Sequence, residues 1–368
     1  MRIVFYFGHP SQYLFLRETM RRLSKFPDYQ IHILIKTKDV LEDLLKNDGF
    51  DYINILPQVR GNLRLSVAWS VYTRFFLILP IIRKIKPNLL VGTDATIAQL
   101  GKLLNINRIT ITEDDYAVIK MLGNLSYPFT QTILCPQVCD VGRWNNKKIG
   151  YDGYMKLGYL HPNVFQIKDD VIKKYKISSK FILIRLSRLN AHHDFGIKGI
   201  DNLLLNKIIE LSNSFDCQVC ICSEGVIPYK YQPYKLNIDP SDLHQILAKA
   251  TILVSDSQSM SLEAALLGVP SLRYSGFAGK ISVLEELEHT YQLTFGIKIG
   301  EKATLLKKLE EWLTTLDLQN LFQERRHIML KDKIDVTAFT TWFIANYPDS
   351  ASLMKKQREI QNQFETIF

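Results

Sequence analysis

The sequence predicts an α/β protein built from two Rossmann-like domains. Three observations carry that expectation. Apolar runs of strand length alternate with segments of helical periodicity. The alternation breaks at a stretch rich in Gly and Tyr and then restarts. At 368 residues the chain is too long for one ordinary domain and long enough to bury two cores.

Along the first half, "RIVFYF" reads as a buried strand, "SQYLFLRETMRRLSKF" as a helix and "QIHILIKT" as a second strand. "NLLVGTD", "RITITEDD" and "QTILCPQ" follow, with helical candidates between them. This is the pattern of a parallel sheet flanked by helices. "KIGYDGYMKLGYLHP" interrupts it and reads as a linker. The second series is "FILIRLS", a helix near Asn202 to Asn213, "CQVCICS", "SDLHQILAKA", "TILVSD", "LEAALLG" and "PSLRYS". The expected boundaries are 1–150 for the first domain, 151–162 for the linker and 163–336 for the second domain. Residues 337–368 read as helices that pack back on the first half.

Composition narrows the class. With 46% hydrophobic and 23% charged residues the chain is globular rather than disordered. The start "MRIVFYFGHP" has too short an apolar run for a secretory signal. The longest apolar run, "FFLILPII", falls short of the ~20 residues that span a bilayer. The expected location is the cytoplasm. Five cysteines sit in "CPQVC" and "CQVCIC", neither with the paired spacing of common zinc sites, and both in strand-like runs. Reduced core thiols and no metal are expected.

Forty-six basic against 37 acidic side chains leave a net charge of +9, which favours an anionic partner. No basic tail or zinc-finger spacing points to nucleic acid. Basic, aromatic and aliphatic residues concentrate in "RGNLRLSVAWSVYTRFFLILPIIRKIKP", Arg60 to Pro87. Trp69, Tyr72, Phe75 and Phe76 could lie in a lipid interface with Arg64, Arg74, Arg83, Lys84 and Lys86 near acidic headgroups. The same stretch also reads as a helix packed on a sheet with ordinary basic ends. A peripheral position at the inner face of the membrane is the matching expectation.

In parallel sheets ligands bind outside the carboxyl ends of the strands, so the residues following each strand are the candidates. The first strand leads into "GHPSQ", with His9 ionisable and Ser11 a candidate helix cap. Asp94 follows "NLLV", and Glu113, Asp114 and Asp115 follow "ITIT". "ILIRLS" leads into Arg188, His192, His193, Asp194 and Lys198, and "CQVCIC" into Ser223 and Glu224. "DSQSMSLEAALLGVP" follows "TILV" and places Ser257, Ser259, Met260, Ser261 and Glu263 at the mouth of a helix. Unpaired amides and the helix dipole there suit a diphosphate, serine hydroxyls add donors, and Glu263 can accept from a ribose diol. The competing local explanation is a capping box, with Ser259 or a neighbour as cap and Glu263 bonding back. Neither G-x-G-x-x-G nor a P-loop occurs.

Two tandem Rossmann domains with "DSQSMSLEAALLGVP" in the second resemble the GT-B glycosyltransferases and the non-hydrolysing UDP-N-acetylglucosamine 2-epimerases. "GHP", "YLHPN", "HDFGIKG", "CSEG" and "EAALLGVP" also resemble a microbial family of the same architecture. The resemblance covers most of the chain. It implies an active site in the inter-domain cleft, Glu263 on ribose, and Ser259 to Ser261 on the diphosphate. It implies Arg188 and His193 as cations on that diphosphate, and Gly8 and His9 near the transferred sugar. Asp94 and Glu113 would match the Asp and Glu that epimerases carry on successive strands. Here "GHPSQ" replaces the epimerase "GxRPE" and "SRLNAHHD" replaces its "HRxEN".

The function expected on these grounds is a metal-independent glycosyltransferase without a cofactor, using a UDP-sugar donor and acting on a cell-envelope glycan or lipid-linked acceptor. His9, Glu113, Asp114 and Asp115 are its base candidates, with Asp94 beside them. Arg188, His193 and the helix dipole would take the leaving-group charge. The alternatives are a UDP-N-acetylhexosamine 2-epimerase and a non-catalytic nucleotide-sugar-binding protein of a polysaccharide pathway.

Overall fold

The computed structural model describes residues 1–37, 40–56, 64–187 and 199–365, with side chains 64–71 excluded. The chain divides into two compact units, Met1–Val164 with Lys331–Phe368, and Phe165–Leu330.

The first run contains β1 (Arg2–Phe7), α1 (Pro10–Ser24), β2 (Gln30–Lys36), α2 (Leu41–Asn47), β3 (Ile53–Leu56) and α3 (Arg64–Ile85). It continues with β4 (Leu89–Gly92), α4 (Ala95–Leu103), β5 (Asn107–Ile111), α5 (Lys120–Ser126), β6 (Thr132–Pro136), β7 (Lys148–Tyr151) and α6 (Leu157–Leu160). The strands form one sheet in the order β3-β2-β1-β4-β5-β6-β7, parallel throughout. Strand order therefore reverses between β1 and β4, opening the crevice of a Rossmann sheet beside Gly8, His9, Thr93 and Asp94. Gly92 closes β4 against β1. A Cβ there would stand 2.9 Å from the Tyr6 carbonyl oxygen, so only glycine fits.

The second unit contains α7 (Val171–Lys174), β8 (Phe181–Leu186), α8 (Asn202–Ser214), β9 (Gln218–Ser223), α9 (Leu243–Leu247) and β10 (Ile252–Ser255). It ends with α10 (Gln258–Leu266), β11 (Ser271–Tyr274), α11 (Ser282–His289), β12 (Phe295–Ile297), α12 (Lys302–Thr314) and α13 (Leu318–Lys331). Its parallel sheet runs β12-β11-β10-β8-β9. The reversal here lies between β8 and β10. Gly268, at φ +70, stops α10 in the left-handed conformation that glycine adopts without strain.

The chain then returns to the first unit as α14 (Val336–Ala345) and α15 (Asp349–Lys356). Thr340 on α14 hydrogen-bonds Thr19 on α1 through their hydroxyls at 2.8 Å, both fully buried. The segment expected as a linker, 151–162, is interior instead. Tyr154, Leu157, Tyr159, Leu160 and His161 are buried, and Thr337 donates to the Gly158 carbonyl at 3.1 Å. Its glycines allow close packing rather than freedom: a Cβ on Gly158 would come 2.7 Å from the Phe15 carbonyl oxygen on α1.

The α/β class with two parallel, Rossmann-like sheets is the one predicted. Strands β3, β7 and β12 went unmarked in the sequence because each is short and flanked by turn residues. All five cysteines are free and buried. Burial pushes the Cys135 thiol up to about 12.

Candidate functional site

In the first unit the carboxyl ends of β1, β4 and β5 carry the predicted acid and base groups. His9, not Ser11, caps α1, because its Nδ1 accepts the Ser11 amide at 3.3 Å. A neutral ring accepting there carries its proton on Nε2. In that tautomer the Nε2–H of exposed His9 is a donor.

Asp94 caps α4 by accepting the Thr96 amide at 2.9 Å. Its other oxygen pairs with the Arg74 guanidinium at 3.1 Å, with both side chains largely buried. Arg74 therefore faces inward from α3 rather than toward lipid headgroups. Glu113 is similarly committed. Its carboxylate accepts the Met155 amide at 2.6 Å and the Lys156 ammonium at 2.7 Å, and both side chains are buried. Asp115 is buried and accepts the Asp140 amide at 2.7 Å.

Asp114 differs from its neighbours. It retains solvent-exposed surface, yet the protein crowded around the carboxylate desolvates it and raises its pKa. Lys156 opposes that rise, and the adjacent Glu113 and Asp115 add to it. Of the three consecutive acids, Asp114 is the one that combines solvent access with a raised proton affinity.

In the second unit the sheet reversal is tied directly. Asp256, following β10, accepts the Ser187 amide, following β8, at 2.7 Å. Burial raises the Asp256 pKa, and the amide bond works against the rise. Helix α10 starts a turn earlier than "LEAALLG" suggested, because Ser257 caps it and accepts the Met260 amide at 3.4 Å. Met260 is thus third in the helix and Glu263 sixth, so the capping-box pairing expected for Glu263 does not form. Glu263 is buried and stands 3.4 Å from His244 Nε2 on α9. Ser259 is half-buried. Ser261 is fully buried, and its hydroxyl has no hydrogen-bond partner among the described residues.

Ser223 accepts the Gly225 amide at 3.1 Å, and Glu224 pairs with Arg185 at 2.5 Å. Arg188, His192, His193, Asp194 and Lys198 lie outside the described residues. Among the described residues no cluster of His, Cys, Asp or Glu has the makings of a metal site.

Sequence reasoning missed Lys156, Arg185, His244, Gln258 and Arg273. Arg273 is fully buried at the end of β11. It donates to Gln258 at 3.0 Å and pairs with Glu285 and Glu288 at 3.4 Å each, tying the first turn of α10 to β11 and α11. The available signal was an arginine inside a four-residue strand followed by glutamates three apart in "LEELE". Such a charge needs acidic partners.

No family model matches the chain, and no curated protein does. Solved structures do match in fold. A UDP-N-acetylglucosamine 2-epimerase from Rickettsia bellii aligns at a TM-score of 0.63 and 14% identity, over 97% of this chain and 99% of its own. The Methanocaldococcus jannaschii UDP-GlcNAc 2-epimerase, solved with UDP-GlcNAc and UDP, aligns at 0.62 and 14%, over 86% and 93%. The glycotransferase of kitacinnamycin aligns at 0.57 and 13%, over 93% and 97%. The chain shares the two-Rossmann GT-B fold of these proteins.

Proposed function

We propose that this chain is an enzyme acting on a nucleoside-diphosphate sugar, with a UDP-sugar as donor. The observation that carries the proposal is the capped mouth of α10. It opens beside the Asp256–Ser187 bond at the reversal of the second sheet, with Glu263 one turn inside. Oriented amides and the positive end of the helix dipole suit a diphosphate at such a place. Ser257 and Ser259 flank it, and Glu263 is the ribose ligand of this reading. Arg188 and His193 belong to the same proposal as cations on the diphosphate.

The acid groups of the first unit favour transfer. Arg74 and Lys156 neutralise Asp94 and Glu113. Asp114 remains as the exposed carboxylate able to take a proton from an acceptor hydroxyl. In this reading the acceptor is a glycan or a lipid-linked saccharide, and the leaving diphosphate is stabilised by amides and cations without a divalent metal.

A second reading, 2-epimerisation, is favoured by the likeness to UDP-GlcNAc 2-epimerases. It requires acid and base groups at sugar C2 and no second substrate. Incubation with UDP-N-acetylglucosamine, with and without envelope lipid extract or oligosaccharide, separates the two. Transfer predicts product only with acceptor present, and epimerisation predicts the C2 epimer from donor alone. Failure to bind UDP or any UDP-sugar in calorimetry would overturn both.

A further inference from the structure

We propose that α3 carries a docking surface for an anionic lipid bilayer. Along its described part, Tyr72 is 56% exposed, Phe76 51% and Leu77 41%. Pro80, Arg83 and Lys84 are exposed as well. At about 100° per residue, Tyr72, Phe76, Leu77, Pro80, Arg83 and Lys84 fall within an arc of about 140°. The opposite face is core. Ile78 and Ile82 are buried against Val4, Leu34 and Leu90, and Arg74 is held by Asp94. One face of the helix is thus consumed by the sheet, while large apolar side chains remain on the other.

Charge selects the occupant. Helix α3 contains no Asp or Glu, and its exposed apolar stretch runs into Arg83, Lys84 and Lys86, all exposed. Aromatic and aliphatic groups flanked by cations match the acyl–headgroup boundary of an acidic leaflet, into which the rings insert while the cations meet phosphates. Among the described residues no helix is long and apolar enough to cross a membrane, so the contact is interfacial. The Arg74–Asp94 pair fixes this helix to the tip of β4, beside the sheet edge that carries His9. The surface does not depend on the proposed reaction, because vesicle binding requires no turnover.

Flotation of the full chain with phosphatidylcholine vesicles, with and without about one-third phosphatidylglycerol, tests it. Expected are binding to the acidic vesicles alone at low salt and release as salt rises. Neutralising both cations, Arg83→Gln with Lys84→Gln, should weaken partitioning roughly 30-fold. Phe76→Ser with Leu77→Ser should weaken it roughly ten-fold, with circular dichroism and melting unchanged. Absence of the wild-type protein from acidic vesicles at low salt would overturn the proposal. So would a concentration-dependent dimer that Phe76→Ser abolishes in a protein that does not float, since the face would then pair with a second copy.

Discussion

The Lys156 ammonium lies 2.7 Å from the Glu113 carboxylate, and both side chains are buried in the first unit. The pair pins the loop after β5 to the segment that precedes α6. Lys156→Met would leave a buried carboxylate with one amide donor, a loss expected to cost about 3–5 kcal/mol. Lys156→Met combined with Glu113→Leu should recover part of that loss, because the Glu113 carboxylate is removed together with its cation. Urea denaturation of the single and double variants checks this. A single variant as stable as wild type would mean that Glu113 finds another partner or a proton.

Asp114 is expected to set the acid limb of the rate profile. Its pKa is raised in the folded protein, so the base form appears at a higher pH than for an ordinary carboxylate. Activity should therefore fall with acidification before most surface carboxylates titrate. Asp114→Asn should lower kcat about 10²–10⁴-fold with little change in donor affinity. The stability effect runs the other way. A carboxylate with a raised folded pKa binds its proton more tightly in the folded than in the unfolded state. Stability is then lost as pH rises from the ordinary pKa through the raised one. Asp114→Asn removes that loss, so near neutral pH its melting temperature should equal or exceed that of wild type. Undiminished turnover in this variant would move the base elsewhere.

Legibility in the sequence followed from how local each cause was. Apolar runs such as "RIVFYF" and "TILVS" announced β1 and β10 because a parallel strand is buried on both faces. Strand ends also located Asp94, Glu113, Asp114 and Ser257 at the carboxyl edges of the two sheets. Their partners were not legible, since pairing of Glu113 with Lys156 or of Glu263 with His244 joins residues far apart in the chain. The same gap made Arg74 look like a headgroup contact, although its guanidinium faces Asp94. "KIGYDGYMKLGYLHP" looked like a linker because glycine marks both flexible turns and tight packing, and composition alone does not distinguish them.

Arg273 should be the most costly single charge to remove from the second unit. It is fully buried and serves Gln258, Glu285 and Glu288 together. Arg273→Met would leave two carboxylates beside each other without their shared cation, at a cost of about 3–5 kcal/mol. Because Gln258 opens α10, UDP affinity should also fall even though Arg273 is assigned no ligand contact. Thermal denaturation and calorimetry on the same variant test both effects. A destabilised protein with unchanged UDP affinity would show that the first turn of α10 keeps its position without Arg273.

Glu263 decides between a ligand-binding and a purely internal role for the helix mouth. Its place as the sixth residue of α10 removes the capping-box role, and Ser257 already holds the Met260 amide. The carboxylate faces His244 at 3.4 Å on α9, an element reached through a different part of the chain. If the carboxylate also accepts from a ribose diol, Glu263→Ala should weaken UDP binding by ~1.5–3 kcal/mol, the worth of a charge-assisted hydrogen bond. That corresponds to about 10- to 150-fold in Kd. Glu263→Gln keeps the length of the side chain and one acceptor oxygen, so its loss should be smaller. His244→Phe removes the internal partner but not the ribose acceptor, and it should reduce thermal stability more than affinity. Isothermal calorimetry with UDP, paired with melting curves for all three variants, distinguishes the roles. If all three variants melt lower and bind UDP like wild type, Glu263 has an internal role and the nucleotide contacts lie elsewhere.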